Sequence, residues 1–243
     1  MKQVFAFDVD GTLTAPRQPI DKDFESSFRC FLRSNTVFLI TGSDRGKISE
    51  QLPEDLMAMC EGLFTCSGAE LWRGSDLVYR KRHSFPGRLI EAAEHFIDNS
   101  PYPVRCGNHI EPRPGMLNIS VVGRNASLEQ RRAYHDWERT QQERSMFVAS
   151  LLAEFPAYEA STGGEISIDI VPRGWTKAVA RAEIEKRVPG CAITFFGDKM
   201  DTNGNDKPLA DELEKFRQHR AIPVKTYKDT WEVLRSIESA NAA

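Results

Sequence analysis

A short apolar run that ends in two carboxylates opens the chain, since residues 3–7 lead directly into Asp8-Val9-Asp10-Gly11. A run of this length, closed by a turn signal, predicts a buried β-strand. Gly11 frees the backbone for a sharp turn just after the strand. Two carboxylates at a strand end suit phosphoryl transfer, because one can attack phosphorus while the other moves a proton. We therefore predict Asp8 as nucleophile and Asp10 as general acid and base, both facing one Mg²⁺.

Apolar runs continue to alternate with helical patterns further along the chain. After the first strand, the spacing of Phe24, Phe28 and Phe31 predicts one face of a helix. This alternation of strand and helix predicts a parallel sheet, whose active site lies at the carboxyl ends of its strands. The predicted strands of this sheet cover residues 3–8, 36–40, 63–66, 192–196 and 222–225.

The pattern changes after residue 82, where strand-like runs meet at the short turn Pro112-Arg113-Pro114-Gly115. Strands joined in this way favour an antiparallel sheet with helices on one face. The predicted fold is therefore an α/β core of residues 1–82 and 173–243, with an inserted α+β cap domain of residues 83–172. The cap is predicted to hold strands at 104–111, 116–122 and 165–171 and helices at 86–98 and 128–155.

Three further groups of polar residues can meet the Asp8 carboxylate. Thr41-Gly42-Ser43 ends the second strand and opens a helix, so its hydroxyl and free N–H groups can bind phosphate oxygens. Asp198 ends another buried strand, and Mg²⁺ prefers oxygen ligands of this kind. The predicted metal site comprises Asp8, Asp10 through its backbone carbonyl, and Asp198. Lys177 opens the helix after the cap, where its charge can offset that of a phosphorylated Asp8.

Composition excludes several classes of protein. The 243 residues carry a net charge of −3, whereas a surface that coats nucleic acid is normally basic. Five cysteines, without C-x-x-C spacing, indicate reduced thiols and not a disulfide framework or a zinc site. Carboxylates interrupt the N-terminal apolar run, which argues against a signal peptide, and no stretch has the roughly 18 apolar residues of a membrane span. We expect a soluble, cytoplasmic protein that binds neither nucleic acid nor membranes.

The order of these residues resembles that of a known superfamily. The D-x-D pair, the Thr/Ser turn, the helical lysine and the later Gly-Asp are similar to the four motifs of the haloacid dehalogenase-like (HAD) superfamily. Within its capped, Cof-like type IIB branch, the chain resembles the eukaryotic-type phosphomannomutase family. The blocks that carry this resemblance are Phe7 to Gln18, Arg113 to Ser120, Val122-Gly123-Arg124, Gly163 to Asp169, Gly174-Trp175, Phe195 to Lys199 and Gly204-Asn205-Asp206.

The resemblance implies a fold, a reaction and further site residues. The fold would be an HAD-like Rossmannoid core with a cap, and the reaction an interconversion of mannose 6-phosphate and mannose 1-phosphate that feeds GDP-mannose synthesis. Asp8 would carry the phosphoryl group, with Mg²⁺ and a hexose 1,6-bisphosphate as activator, and two chains would form a homodimer through the cap. Guanidinium groups suit phosphate binding, because they bind it bidentately and stay charged. The implied ligands of the sugar phosphate are Arg17, Arg113, Arg124, Arg131, Ser167 and Asp169.

Departures from the family leave alternatives open. Thr41 stands where these mutases usually have glycine and where HAD phosphatases often have threonine, and Ser67-Gly68 replaces an expected Asn-Gly. The segment after Asp206 lacks the family's acidic loop, so a second, structural metal is undecided. An HAD sugar-phosphate phosphatase that uses the same Asp8 and Asp10 is therefore the alternative. The intact catalytic residues disfavour a sensor without turnover, and mannose against glucose specificity stays open.

Overall fold

Two separate β-sheets are present in the computed structural model, which describes residues 1–202 and 204–242. The strands are β1 (Gln3–Phe7), β2 (Thr36–Ile40), β3 (Gly62–Thr65), β4 (Glu70–Arg73), β5 (Asp76–Arg80), β6 (Ile110–Arg113), β7 (Met116–Ile119), β8 (Tyr158–Gly163), β9 (Ser167–Pro172), β10 (Ala192–Gly197) and β11 (Arg220–Pro223). The helices are α1 (Lys22–Ser34), α2 (Arg45–Ser49), α3 (Glu54–Ala58), α4 (Gly87–Asn99), α5 (Leu128–Gln141), α6 (Glu143–Glu154), α7 (Val179–Arg187), α8 (Lys207–Glu214) and α9 (Tyr227–Ala242). None of these described helices is long and apolar enough to cross a membrane.

The larger sheet, here called the core sheet, has the strand order β11-β10-β1-β2-β3-β4-β5. The first five strands in this order run parallel, and β4 and β5 extend one edge as antiparallel strands. Alternate residues of β1 point to opposite faces, so Phe7 packs in a cluster with Phe28 of α1, whereas Ala6 packs with Ala180 of α7. Helices therefore cover both faces of the sheet, as its continuous apolar strands require. This arrangement confirms the predicted parallel α/β core.

The smaller sheet, here called the cap sheet, has the antiparallel order β6-β7-β9-β8. Leu117 of β7 and Ile168 of β9 pack against Leu89 of α4 and against residues of α6. The alternate residues Asn118 and Asp169 are opposite each other in the register of β7 and β9, so they lie on the other face. That polar face borders the cavity lined by Asp8 at the end of β1. The separate antiparallel sheet with helices on one face confirms the predicted α+β unit.

Three elements of the structure differ from the prediction for the cap. The prediction of one helix over 128–155 is wrong, because Gln142 has a φ of 55° and divides it into α5 and α6. Glu138 of α5 and Arg144 of α6 form an ion pair of 2.8 Å across this break. This ion pair stabilises the change of direction between the two helices. The strand predicted from 104 begins at Ile110. Strand β8 was absent from the prediction, because the polar residues of its sequence YEASTG hide the pattern of an edge strand.

Candidate active site

A buried lysine between two carboxylates forms the centre of the site. Asp8 directly follows β1, Asp206 precedes α8, and Lys177 lies just before α7. Lys177 Nζ donates to Asp8 Oδ1 at 2.6 Å and to Asp206 Oδ1 at 2.7 Å. Burial raises the pKa of Asp8 well above its ordinary value, and Lys177 opposes this rise. Burial alone would lower the pKa of Lys177, but Asp206 and Asp8 raise it, so the lysine stays cationic.

A third carboxylate, Asp198, follows β10 and joins this centre. Carboxylate oxygens of Asp8, Asp198 and Asp206 lie within 4.8 Å of one another. Burial, followed by the charge of Asp206, raises the pKa of Asp198 to about 6. Lys177 and the partly exposed Lys199, 3.7 Å from Asp198, give two positive charges against three negative ones. These crowded oxygen donors with excess negative charge fit a divalent cation such as Mg²⁺.

Gly11 allows the turn after β1 to approach Asp198 closely. Its φ of 89° lies in the left-handed region, and a Cβ atom at this position would lie 2.5 Å from Asp198 Oδ2. Any side chain would therefore displace the Asp198 carboxylate from the cluster that it forms with Asp8. The glycine next to the D-x-D pair is thus required by both the turn and the contact.

Asp10 faces the turn after β2 and not the three-carboxylate cluster. Its Oδ1 accepts a hydrogen bond from the Arg17 backbone N–H at 3.0 Å, and its Oδ2 lies 3.5 Å from Ser43 Oγ. Thr41 Oγ1 accepts from the Ser43 backbone N–H at 3.0 Å, which orders this turn. The Asp10 carboxylate is thereby placed beside the groups predicted to bind phosphate. The metal role of its backbone carbonyl stays a prediction.

Four arginines, here called the arginine cluster, line the same cavity as Asp8 and Asp10. Burial and the nearby charges of Arg113 and Arg17 lower the pKa of Arg124 to about 10. Burial and Arg17 also lower the pKa of Arg131. Guanidinium groups that repel one another in a partly buried site indicate a place for an anion. The members of the arginine cluster are Arg17, Arg113, Arg124 and Arg131.

Hydrogen bonds within the cap fix these guanidinium groups. Arg124 Nη1 donates to Ser167 Oγ at 2.6 Å, and Asn118 Nδ2 donates to Asp169 Oδ1 at 2.5 Å. Arg131 donates to two backbone carbonyls of residues 124–126, at 3.0 Å and 2.8 Å. Arg131 therefore supports the loop that carries Arg124, in addition to lining the cavity. Ser167 and Asp169, two residues apart in β9, share the polar face of the cap sheet.

Sequence reasoning missed two residues of this site, Glu111 and Asn118. Glu111 Oε2 accepts from Arg113 at 2.8 Å and lies 3.2 Å from Arg124 Nε. Asn118 is buried beside Asp169 and lines the cavity. A signal existed for each: Glu111 and Arg113 are two apart in one strand and share a face, and Asn118 is polar within an apolar run.

Comparisons with known proteins place this chain in a family. The model of the eukaryotic phosphomannomutase family matches residues 26–239. The phosphomannomutase of Dendrobium officinale is 35% identical over 211 residues, which cover 84% of this chain and 82% of that protein. The phosphomannomutase of Saccharomyces cerevisiae is 32% identical over 242 residues, which cover 95% of this chain and 92% of that protein. The chain belongs to the eukaryotic phosphomannomutase family.

The fold of this phosphomannomutase family member is shared with more distant proteins. A haloacid dehalogenase-like hydrolase from Bacteroides thetaiotaomicron superposes with a TM-score of 0.61 at 14% identity, and the match covers 98% of this chain and 100% of that one. The predicted superfamily fold is thus confirmed. The structure brings the predicted site residues together around one cavity, with Lys177 buried behind Asp8. Those that line the cavity are Asp8, Asp10, Arg17, Thr41, Ser43, Arg113, Arg124, Arg131, Ser167, Asp169 and Asp198.

Proposed function

We propose that this chain is a phosphomannomutase that interconverts mannose 6-phosphate and mannose 1-phosphate and so feeds GDP-mannose synthesis. One observation carries the proposal: a cavity with the Asp8 carboxylate on one wall and cap arginines on the other. Arg113 and Arg124 come from the cap, whereas Asp8 belongs to the core sheet. A sugar with a phosphate at one end and a hydroxyl at the other can contact both walls at once. Membership of the phosphomannomutase family supports the same reaction.

The first half-reaction forms an aspartyl phosphate. An oxygen of Asp8 attacks the phosphorus of a hexose 1,6-bisphosphate, and the bond between that phosphorus and the sugar oxygen breaks. Asp10 gives its proton to the leaving oxygen. The other phosphate of the sugar stays on the arginine cluster, so the product is a hexose monophosphate held beside the phosphorylated enzyme.

The second half-reaction reverses these steps on the other end of a sugar. A free hydroxyl oxygen attacks the phosphorus of the aspartyl phosphate while Asp10 removes the hydroxyl proton, and the bond to Asp8 breaks. This step forms a bisphosphate again, and its rotation before it next phosphorylates Asp8 exchanges its two ends. Guanidinium groups allow this exchange, because they bind either phosphate through the same two N–H donors.

Side chains of the core balance the negative charge of the reacting phosphoryl group. Lys177 holds its ammonium group 2.6 Å from Asp8, where it stabilises negative charge on the phosphorylated side chain. Thr41 and Ser43 offer hydroxyl groups at the same end of the cavity. When bound at Asp8, Asp198 and the Asp10 carbonyl, Mg²⁺ supplies further positive charge against the phosphoryl oxygens.

Recognition of the sugar, assembly and location complete the proposal. Ser167 and Asp169 are proposed to bind sugar hydroxyls or to order the arginine cluster, since both lie on the cavity wall formed by the cap sheet. We expect small-molecule sugar phosphates as partners, a homodimer formed through the cap, and a cytoplasmic location. Sedimentation of the purified protein tests the dimer, and a monomer at all concentrations would contradict it.

A sugar-phosphate phosphatase is the second candidate function. Thr41 favours it, because threonine at this turn is common in HAD phosphatases, whereas the mutases usually have glycine there. In this reaction, water would attack the aspartyl phosphate in place of a sugar hydroxyl, and Asp10 would remove its proton. The two functions therefore share Asp8 and Asp10 and differ in the acceptor.

An assay of both products separates the two functions. Mannose 1-phosphate is incubated with Mg²⁺, with and without a hexose 1,6-bisphosphate, and mannose 6-phosphate and free phosphate are measured. We expect mannose 6-phosphate in the presence of the bisphosphate, little free phosphate, and no reaction in excess chelator. Free phosphate without mannose 6-phosphate would instead establish a phosphatase. Activity that survives exhaustive chelation would exclude the proposed metal.

Arg124→Ala is expected to impair only substrates with a distal phosphate. The loss of a charged hydrogen-bond donor should weaken binding of the transition state by about 1.5–3 kcal/mol, or roughly ten- to a hundredfold in kcat/KM. Hydrolysis of an aryl phosphate, which has no second phosphate, should hardly change. Kinetics on both substrates measure this difference.

The control for Arg124→Ala is Arg88→Ala, which removes an exposed arginine of α4 whose Nη2 lies 3.6 Å from Glu154 Oε1. We expect this variant to keep both activities. If Arg124→Ala lowered both activities equally, together with thermal stability, the arginine would have a structural role and the case for a phosphate clamp would fail.

A further inference from the structure

We propose that Glu111 is a positioning residue, which orients Arg113 and Arg124 and couples them to the core sheet through Lys47. The inference rests on the proposed use of the arginine cluster to bind phosphate. Glu111 belongs to β6 of the cap sheet, and Lys47 belongs to α2, directly after the Thr41 turn of the core. A contact between them, 64 positions apart in sequence, therefore joins the two parts of the molecule.

The Glu111 carboxylate contacts three cations at once. Its Oε1 accepts from Lys47 Nζ, and its Oε2 accepts from Arg113 Nη2 at 2.8 Å and lies 3.2 Å from Arg124 Nε. Lys47 is itself held in place by Asp44, whose Oδ2 lies 3.0 Å from its Nζ. One carboxylate thus joins a core lysine to two guanidinium groups of the cap.

Charge explains why the cap needs a carboxylate at this position. Arg113 and Arg124 have side chains only 5% and 10% exposed, and their like charges repel. Burial would raise the pKa of Glu111, but hydrogen bonds from Arg113 and Lys47 lower it to about 2. Glu111 is therefore ionised at any working pH, and its fixed negative charge lets the two guanidinium groups lie side by side.

The contacts also fix the direction in which the guanidinium groups face. Glu111 contacts one nitrogen of each group, while Arg113 Nη1 donates to the Gly42 carbonyl at 3.2 Å and Arg124 Nη1 to Ser167 Oγ at 2.6 Å. Because contacts at two of its nitrogens restrain it, each planar group keeps one orientation toward the cavity that it lines. Such support of binding groups by surrounding contacts preserves their geometry before a ligand arrives.

The contacts between cap and core at this edge involve one short segment, residues 42–47. Arg113 meets the Gly42 carbonyl and lies 3.9 Å from Asp44, and Glu111 meets Lys47. These contacts break together if the cap sheet moves away from the core. Phosphate binding by the arginines and closure of the cap over Asp8 are thereby linked, and closure excludes water from the reacting group.

The test compares Glu111→Gln, Lys47→Met and the double variant on two substrates. The substrates are a hexose 1,6-bisphosphate with mannose 1-phosphate as acceptor, followed by mannose 6-phosphate and free phosphate, and an aryl phosphate without a distal phosphate. We expect kcat/KM for the bisphosphate to fall about ten- to a hundredfold in Glu111→Gln and about two- to fivefold in Lys47→Met. Aryl phosphate hydrolysis and the thermal midpoint should change little. The double variant should lose no more than Glu111→Gln, because Lys47 acts through Glu111.

Two further variants test the role of the Lys47 charge and provide a control for the loss of a carboxylate. Lys47→Arg keeps the charge and should retain the activity that Lys47→Met loses. Glu183→Gln removes a carboxylate of similar exposure, 30% against 25%, which pairs with Arg187 at 2.6 Å on α7, and should change neither substrate.

Two outcomes would overturn the proposal. Equal loss on both substrates with a lower thermal midpoint would give Glu111 a merely structural role, and additive losses in the double variant would remove the coupling through Lys47. Failure of the proposed mutase reaction can be distinguished from failure of this inference. A wild-type protein that only hydrolyses the bisphosphate would contradict the mutase reaction. The effect of Glu111→Gln on the ratio of kcat/KM for the two substrates could still be measured with that protein.

Discussion

Asp8→Asn is expected to abolish phosphoenzyme formation and to lower turnover by about 10⁴-fold or more, as removal of a covalent nucleophile does. The amide has the size of the carboxylate but cannot attack phosphorus. The fold should survive, because burial raises the pKa of Asp8 and so disfavours the charge that the substitution removes. Transfer of radiolabelled phosphate from a hexose 1,6-bisphosphate to the protein measures the effect, and the thermal midpoint in metal-free buffer reports the fold.

Two comparison variants make this result specific to Asp8. Asp10→Asn retains the nucleophile, so it should still become labelled, at a rate lower by about 10²- to 10⁴-fold, the usual effect of losing a general acid or base. Asp55→Asn removes an exposed carboxylate that pairs with Arg29, and it should behave as wild type. Label on the Asp8→Asn protein would show that another residue is the nucleophile.

The residues at the ends of the parallel strands could be predicted from the sequence, for a physical reason. Asp8, Thr41 and Asp198 each follow a short apolar run, and the carboxyl ends of parallel strands meet at one edge of a sheet. Local patterns therefore determine where these side chains lie, even though up to 190 residues separate them. The cap residues Arg113 and Arg124 needed the family motifs in addition, because their positions depend on how one sheet faces another.

Contacts between the cap and the core could not be predicted in this way. Glu111 contacts Lys47 only because β6 lies beside α2, and neither local pattern contains this information. Similarly, the helical periodicity continues through Gln142, although the ion pair of Glu138 with Arg144 accompanies a break there. Hydrophobic periodicity reports which face is buried, but charged pairs between distant segments follow from the tertiary arrangement.

Lys177→Met is expected to lower the free energy of unfolding by about 3–5 kcal/mol, the range for breaking a buried ion pair by removing one partner. Lys177 and Asp206 have no exposed surface, and Asp8 is 4% exposed, so water cannot replace the lost ammonium group. Two carboxylates would then face each other without a counter-charge. Urea unfolding in metal-free buffer measures this loss, and the variant should also be inactive, because among the residues that the structure describes Lys177 is the side chain that donates to Asp8 Oδ1.

A double variant separates the loss of charge balance from the loss of packing. Adding Asp8→Asn to Lys177→Met removes one of the two opposed carboxylates, so part of the stability should return, with an interaction energy of about 0.5–3 kcal/mol. The exposed pair of Lys215 with Glu212 provides the control, since Lys215→Met should leave the unfolding free energy nearly unchanged. Two results would show that charge balance does not explain the burial of Lys177. In the first, Lys177→Met lowers the free energy of unfolding as little as Lys215→Met does. In the second, the double variant is less stable than Lys177→Met alone. Methionine would then simply replace a well-packed aliphatic chain, and the ammonium group would be needed for the reaction alone.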